Sequence, residues 1–185
     1  HYAMTAQDRV LQCASISWDT SAEEIYPCLA SGGTLLLRTP HMLDSAQGFI
    51  AQCRDWQLTV INLASAFWHE LMLDPASAAL NQIETLRLTI IGGERVSPER
   101  VATWYQRIDQ RIRLLNTYGA SEATAITTTY DLTAHAATAL GPEVPIGRPF
   151  PNVQTYILDA QLQPVPFGVL GDLYICLLYT SPSPR

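Results

Sequence analysis

Ile112-Arg113-Leu114-Leu115-Asn116-Thr117-Tyr118-Gly119-Ala120-Ser121-Glu122-Ala123-Thr124 is the stretch on which the reading of the fold turns. Its apolar start, Ile112 to Leu115, reads as a strand. It runs into an amide, a phenol, a glycine, a hydroxyl and a carboxylate. Open α/β sheets bind their ligands outside the carboxyl ends of the strands. A strand that ends in such a cluster is a candidate wall of a site.

Upstream, strands and helices alternate. Val10–Ala14, Thr34–Leu37, Leu58–Leu63 and Leu86–Ile91 read as strands. Between them lie helical patterns at 22–29, 45–56 and 66–72, and a further one at 97–108 leads into the strand at Ile112. Asp19 or Ser21 is a candidate cap for the first, with Pro27 expected in the first turn or at a kink. Ser45 caps the second. Ser97-Pro98-Glu99 opens the last with a cap, a proline and an acid. This alternation predicts a doubly wound, mostly parallel sheet with helices on both faces.

After Glu122 the pattern changes. Ile126–Tyr130, Val153–Leu158 and Gly171–Ile175 are β-rich and separated by Pro/Gly turns. The expected organisation is an α/β subdomain over 1–130, the start of a smaller β-rich subdomain over 131–175, and a tail over 176–185. Ser181-Pro182-Ser183-Pro184 in that tail is low in complexity and is expected to be disordered.

Composition narrows the function classes. The chain has 185 residues, 48% hydrophobic and 15% charged, with a net charge of −6. Such a chain has enough apolar mass for one sizeable core. The cluster Arg107, Arg111, Arg113 reads as a solvated helix edge, so no nucleic-acid groove is expected. The four cysteines, Cys13, Cys28, Cys53 and Cys176, form no C-x-x-C pair. They read as small buried hydrophobes in a reducing, cytoplasmic compartment. No apolar run reaches membrane-spanning length, and His1–Met4 lacks a secretory pattern.

Three strand ends face one crevice on this reading: Asp19 to Glu23, Gly92-Gly93-Glu94, and Asn116 to Glu122. Glycines after a strand let backbone approach a flat ligand. Tyr118 can stack on a base, Asn116 can pair with a base edge, and Ser121 can touch a phosphate oxygen. Glu122 suits Mg²⁺, which takes one or two carboxylates plus substrate phosphates. Each residue also has a plain structural reading. Gly92-Gly93 fits a turn, Tyr118 a core aromatic, Asp19 a helix cap, and Ser121-Glu122 a helix start.

Asn116-Thr117-Tyr118-Gly119-Ala120-Ser121-Glu122 resembles the adenine and magnesium motif of adenylate-forming enzymes. Trp18-Asp19-Thr20-Ser21-Ala22-Glu23-Glu24-Ile25-Tyr26-Pro27 resembles the substrate-binding helix of the adenylation domains of non-ribosomal peptide synthetases. Ile91-Gly92-Gly93-Glu94-Arg95-Val96-Ser97 is similar to their glycine turn. Pro145-Ile146-Gly147-Arg148-Pro149 through Gly171-Asp172-Leu173-Tyr174-Ile175 resembles the segment that follows. The resemblance runs from about Thr5 to Ile175.

It implies ATP-dependent activation of a carboxylic acid with Mg²⁺, then transfer to a phosphopantetheine thiol. The implied partners are peptidyl carrier and condensation domains. Tyr118 and Asn116 would hold adenine against Gly92, Gly93 and Glu94, with Gly119 in the turn. Glu122 would hold the metal, and Ser121 keeps the hydroxyl of the usual Thr. Asp19 matches the acid that binds an α-ammonium group, which favours an amino acid. Thr20, Glu23, Asn62, Ile90, Gly92, Thr117, Ala125 and Ile126 match the rest of the substrate pocket. An acyl-CoA or aryl-acid ligase and a non-catalytic nucleotide-binding module remain the alternatives. The family's phosphate loop, its ribose-binding Asp and its lid lysine have no counterpart in these residues. The chain is therefore read as an internal fragment that is inactive alone. Cys176–Arg185 departs from the family pattern and reads as a frame error, a sequencing artefact or a foreign tail.

Overall fold

The computed structural model describes residues 2–133 and 141–177. The low-complexity run at 181–184 lies outside the described residues. Five parallel strands form the frame: β1 (Arg9–Gln12), β2 (Thr34–Leu37), β3 (Val60–Ala64), β4 (Leu88–Gly92) and β5 (Arg113–Tyr118). Four helices connect them: α1 (Thr20–Ala30), α2 (Ala46–Asp55), α3 (Ser65–Leu73) and α4 (Pro98–Arg107). Two 3₁₀ segments, Pro75–Gln82 and Ser121–Ala123, complete the connections. The doubly wound, mostly parallel sheet expected from the alternation is what forms.

The sheet then continues with antiparallel strands. β6 (Thr128–Asp131) pairs with β5, and the short β7 (Arg148–Pro149) pairs with β6. The order is β2-β1-β3-β4-β5-β6-β7. A separate two-stranded antiparallel sheet joins β8 (Thr155–Leu158) to β9 (Asp172–Ile175).

Side-chain alternation divides the core. Ile61, Leu63, Ile91 and Leu114 point to one face and pack with Phe49, Trp68, Leu71, Val101 and Trp104 from α2, α3 and α4. Val60, Leu88, Ile90 and Leu115 point to the other, against Cys28 of α1, Tyr2 and Phe150. The first cluster is the larger. The α1 face is the more thinly covered, and the cavities that Glu23 and Ile126 line lie on it.

Ser45 accepts a hydrogen bond from Gly48 N (3.1 Å) and Ser97 from Arg100 N (3.3 Å), as capping predicts. α1 differs from expectation. Pro27 sits inside the helix, not in its first turn. It lacks an N–H and removes the bond that the Glu23 carbonyl would accept. Asp19 occupies the N-cap position, yet its side chain makes no cap bond.

Candidate functional site

The site begins with a topological switch. In the order β2-β1-β3, the chain runs from β1 to β2 on one side and then crosses back to β3 on the other, and this reversal opens a crevice at the carboxyl ends. β1 and β3 are registered only at Val10↔Val60, whereas β3–β4 and β4–β5 are each paired over five positions. The two strands therefore part above Val60. The start of α1 fills one side of the gap and Asn62 the other. Asn62 Nδ2 donates across it to Glu23 Oε2 at 3.0 Å.

Register aligns the floor. Asn62 pairs with Ile90 and Gly92 with Thr117. With a period of two, all four project toward α1. Trp18, Thr20, Glu23, Asn62, Gly92, Gly93, Thr117 and Ile126 enclose a void of ≈ 20 Å³. That is room for about one water molecule. The void opens beside a larger cavity of ≈ 380 Å³ whose walls include Asp19, Glu23, Ser121, Ala125, Ile126 and Phe150. Ile90 is buried in the apolar layer beneath, with Leu115 and Val60.

Long-range bonds hold the mouth. The Ser121 hydroxyl donates to the Asp19 carboxylate, across 102 positions of sequence. Glu24, buried at 1% exposure, accepts from Cys13 N (3.0 Å), Ala14 N (3.2 Å) and Gln12 Nε2 (3.2 Å). It thereby ties the loop that carries Trp18 and Asp19 back to β1. Ser65, fully buried, donates to the carbonyls of Gly92 (3.1 Å) and Glu94 (3.2 Å) and pins the glycine turn. Gly93 is needed at that turn: its φ is +90°, and a Cβ there would lie 3.1 Å from the Trp18 ring.

The β5 end has two faces. Thr117 is buried, and its hydroxyl donates to Ile91 O at 3.0 Å. Asn116 points the other way, donating from Nδ2 to Pro145 O at 2.9 Å. Tyr118 is 41% exposed beyond it. The loop then folds tightly back. A Cβ on Gly119 would overlap the Ala125 carbonyl oxygen and sit 2.7 Å from Thr127 N. Thr124 (φ 64°) and Ala125 (φ 66°) are both left-handed, a costly conformation for residues with a Cβ. Glu122 is exposed beside them, on the wall of a wider ≈ 960 Å³ cleft toward Asn152, Gln154 and Cys176.

Electrostatics single out two carboxylates. Glu23 accepts from Asn62 and from the Tyr2 hydroxyl. Burial, reinforced by the neighbouring charge of Glu24, pushes its pKa up to about 7 against the Asn62 hydrogen bond. Burial likewise raises Glu24 to about 7. Among the described residues neither forms an ion pair.

The structure thus gathers Asp19, Thr20, Glu23, Asn62, Gly92, Gly93, Thr117, Ser121, Ala125 and Ile126 around adjoining cavities. Glu122 stands at the next cleft, and Ile90 and Asn116 lie in or behind the sheet. The sequence gives no role to Tyr2, Ser65 or Phe150, and no local pattern marks them. Trp18 and Glu24 stand inside the substrate-helix motif without a role of their own.

The chain matches the AMP-binding enzyme family over residues 1–176. It belongs to that family. It is 38% identical over 171 residues to an isonitrile lipopeptide synthase of Streptomyces coeruleorubidus, covering 92% of this chain and 11% of that protein. A dimodular nonribosomal peptide synthase of Bacillus subtilis is 35% identical over 163 residues, with 87% of this chain and 7% of that protein covered. The N-terminal subdomain of Klebsiella oxytoca NpsA in complex with 3-hydroxyanthranilyl-AMSN superposes with a TM-score of 0.80 at 26% identity. That match covers 94% of this chain and 43% of NpsA. The AMP-binding chain is part of an adenylation domain of the peptide synthetase type. It spans only a small part of the curated relatives it matches.

Among the described residues no group of three or more His, Cys, Asp or Glu side chains is placed to hold a metal. The donor set at Glu122 is a single exposed carboxylate, which fits Mg²⁺ shared with substrate phosphates. No helix among the described residues is long and apolar enough to cross a membrane.

Proposed function

We propose that this stretch activates an α-amino acid with ATP, giving an aminoacyl-adenylate and pyrophosphate. The observation that carries the reading is Asp19. It stands at the head of α1 but its side chain makes no cap bond, and its carboxylate lines the cavity with Ser121 as its hydrogen-bond partner. An acid so placed suits an α-ammonium group. The substrate carboxylate would then lie toward Ser121 and Glu122.

In the reaction a substrate carboxylate oxygen attacks the α-phosphorus of ATP. The bond from that phosphorus to the pyrophosphate oxygen breaks. Mg²⁺, held by Glu122, would offset the phosphate charge. Tyr118 offers an exposed ring for adenine at the end of β5. The glycine turn pinned by Ser65 would supply a backbone edge for the other side of the adenine. A pantetheine thiol on a carrier domain would then take the acyl group and release AMP. An artificially fused adenylation–PCP di-domain from Klebsiella oxytoca has the same fold, with a TM-score of 0.80, and supports that partner class.

The test is amino-acid-dependent ATP–pyrophosphate exchange by the full-length chain that contains these residues. Exchange that needs an amino acid and falls by about 100-fold or more in Glu122→Ala supports the reading. Exchange indifferent to Glu122→Ala sinks the metal role. Exchange driven by aryl or fatty acids in place of amino acids sinks the substrate role. The 185 residues alone are expected to give no exchange.

A further inference from the structure

The two acids of α1 that face the cavity, Asp19 and Glu23, are one helical turn apart. Positions i and i+4 lie on the same helix face with Cβ atoms about 5–6 Å apart. Both line the ≈ 380 Å³ cavity, and Glu23 also borders the smaller void at its inner end. The remaining walls are largely apolar or aromatic, with Tyr2, Tyr26, Ile126 and Phe150 the largest side chains among them. Asp19 is accounted for by an α-ammonium group. Glu23 is not.

Glu23's partners are both neutral donors, the Asn62 amide and the Tyr2 hydroxyl. Among the described residues no Arg or His forms an ion pair with it. Its nearest charged neighbour in sequence is Glu24, whose carboxylate is turned away to Cys13 and Ala14. A carboxylate taken out of water is costly unless a cation meets it. The fold therefore holds an acid at the inner end of a substrate cavity without supplying its counter-ion.

We infer that the substrate supplies it: the pocket takes an α-amino acid whose side chain carries a cation, a diamino or guanidino acid, with Asp19 on the α-ammonium and Glu23 on the side-chain charge. The inference rests on the amino-acid-activating reading and narrows it. The separation of the two acids matches a molecule with two cationic nitrogens a few bonds apart. The Tyr2 hydroxyl donates to one Glu23 oxygen and the Asn62 amide to the other, so each oxygen keeps a lone pair for the ligand. The small void beside Asn62 admits no more than a water-sized group, whereas the ≈ 380 Å³ cavity takes a whole side chain. The cation is therefore met at Glu23, on the side of the larger cavity.

The test uses the full-length chain and ATP–pyrophosphate exchange with 2,4-diaminobutyrate, ornithine, lysine and arginine against norleucine, glutamine and citrulline. A preference of about 100-fold or more in kcat/KM for a cationic member over its neutral counterpart is expected. Glu23→Gln should reduce that ratio to near one, and Glu23→Asp should retain much of it. The ratio within one variant is independent of how much of that variant folds. Exchange driven best by a neutral amino acid, with a ratio unmoved by Glu23→Gln, overturns the inference and leaves the amino-acid reading standing. Exchange supported by none of the amino acids, but by an aryl or fatty acid, overturns both.

Discussion

Replacing Asp8 with asparagine tests what holds the amino ends of the parallel strands together. Asp8 precedes β1 and is 3% exposed. Its Oδ1 accepts from Arg87 Nε (2.8 Å) and Thr59 Oγ1 (2.7 Å). Its Oδ2 accepts from Arg87 Nη2 (2.8 Å) and Thr5 N (2.7 Å). One carboxylate thus ties β1 to the residues just before β3 and β4. Burial works to raise its pKa. The hydrogen bonds from Arg87, Thr59 and Thr5 and the charge of Arg87 override that and hold it well below the usual carboxylate range. Breaking a buried ion pair by removing one partner costs about 3–5 kcal/mol. The Arg87 side chain keeps 33% of its exposure and can partly rehydrate, so the lower end, about 3 kcal/mol, applies at pH 7.

The sign with pH follows from the depressed value. The stabilisation is fully present above the unfolded pKa of 3.8 and is lost as pH falls through the folded one. The gap between wild type and Asp8→Asn should narrow by about 1.4 kcal/mol per pH unit below pH 4. Glu23 and Glu24 act oppositely. Their raised values favour the folded state most below the ordinary 4.5 and weaken it as pH rises toward 7. Taking the difference between the two proteins cancels that contribution. Urea unfolding followed by tryptophan fluorescence at pH 7, 5, 3.5 and 2.5 gives the gap. A gap under about 1 kcal/mol at pH 7, or one that is constant down to pH 2.5, refutes the reasoning.

Gly119→Ala should drive a methyl group into the Ala125 carbonyl and the Thr127 amide, both backbone, so the loop bearing Glu122 must move. Exchange by the full-length chain should fall by about 10-fold or more, with a loss of about 1–3 kcal/mol of stability. Gly141→Ala, where a Cβ meets nothing within 4 Å, is the control. Glu24→Gln sets an amide N–H against the donors of Cys13, Ala14 or Gln12. It should cost about 1–3 kcal/mol in the same urea assay. Because Glu24 positions the Asp19 loop, KM for the amino acid should rise about 10-fold with kcat changed less. A kcat loss with KM unchanged would contradict that role.

Much of the frame was legible because its signals are local. Alternation at periods of 2 and 3.6, and caps such as Ser45 and Ser97, are properties of a few neighbouring residues. The placement of β7 beside β6 was not, since a two-residue strand has no period and its partner lies 19–21 positions away. The site divides in the same way. Gly92-Gly93-Glu94 and Asn116–Glu122 show themselves as strand ends. Tyr2 and Phe150 close the cavity through an edge-on contact, with ring centroids 6.0 Å apart across 148 positions, and neither carries a sequence mark. Asp19 had a sound local reading as a helix cap. Its bond from Ser121 depends on the β5 turn folding over α1, which no local pattern encodes.

The two ends of this sheet treat their acids differently: Asp8 is buried, whereas Asp19 and Glu23 are half-buried. At the amino ends, Asp8 meets a guanidinium in bidentate geometry and serves the frame. At the carboxyl ends, Asp19 and Glu23 line a cavity, and among the described residues their side-chain partners are hydroxyls and an amide. Thr124 and Ala125 add left-handed backbone at the same place. The desolvated Glu23 and the left-handed pair each cost stability. Among the described residues no cation meets Asp19 or Glu23. On the proposed reading, a doubly cationic amino acid would offset the cost at Glu23, and its binding would then raise fold stability at the carboxyl ends of β1, β3 and β5.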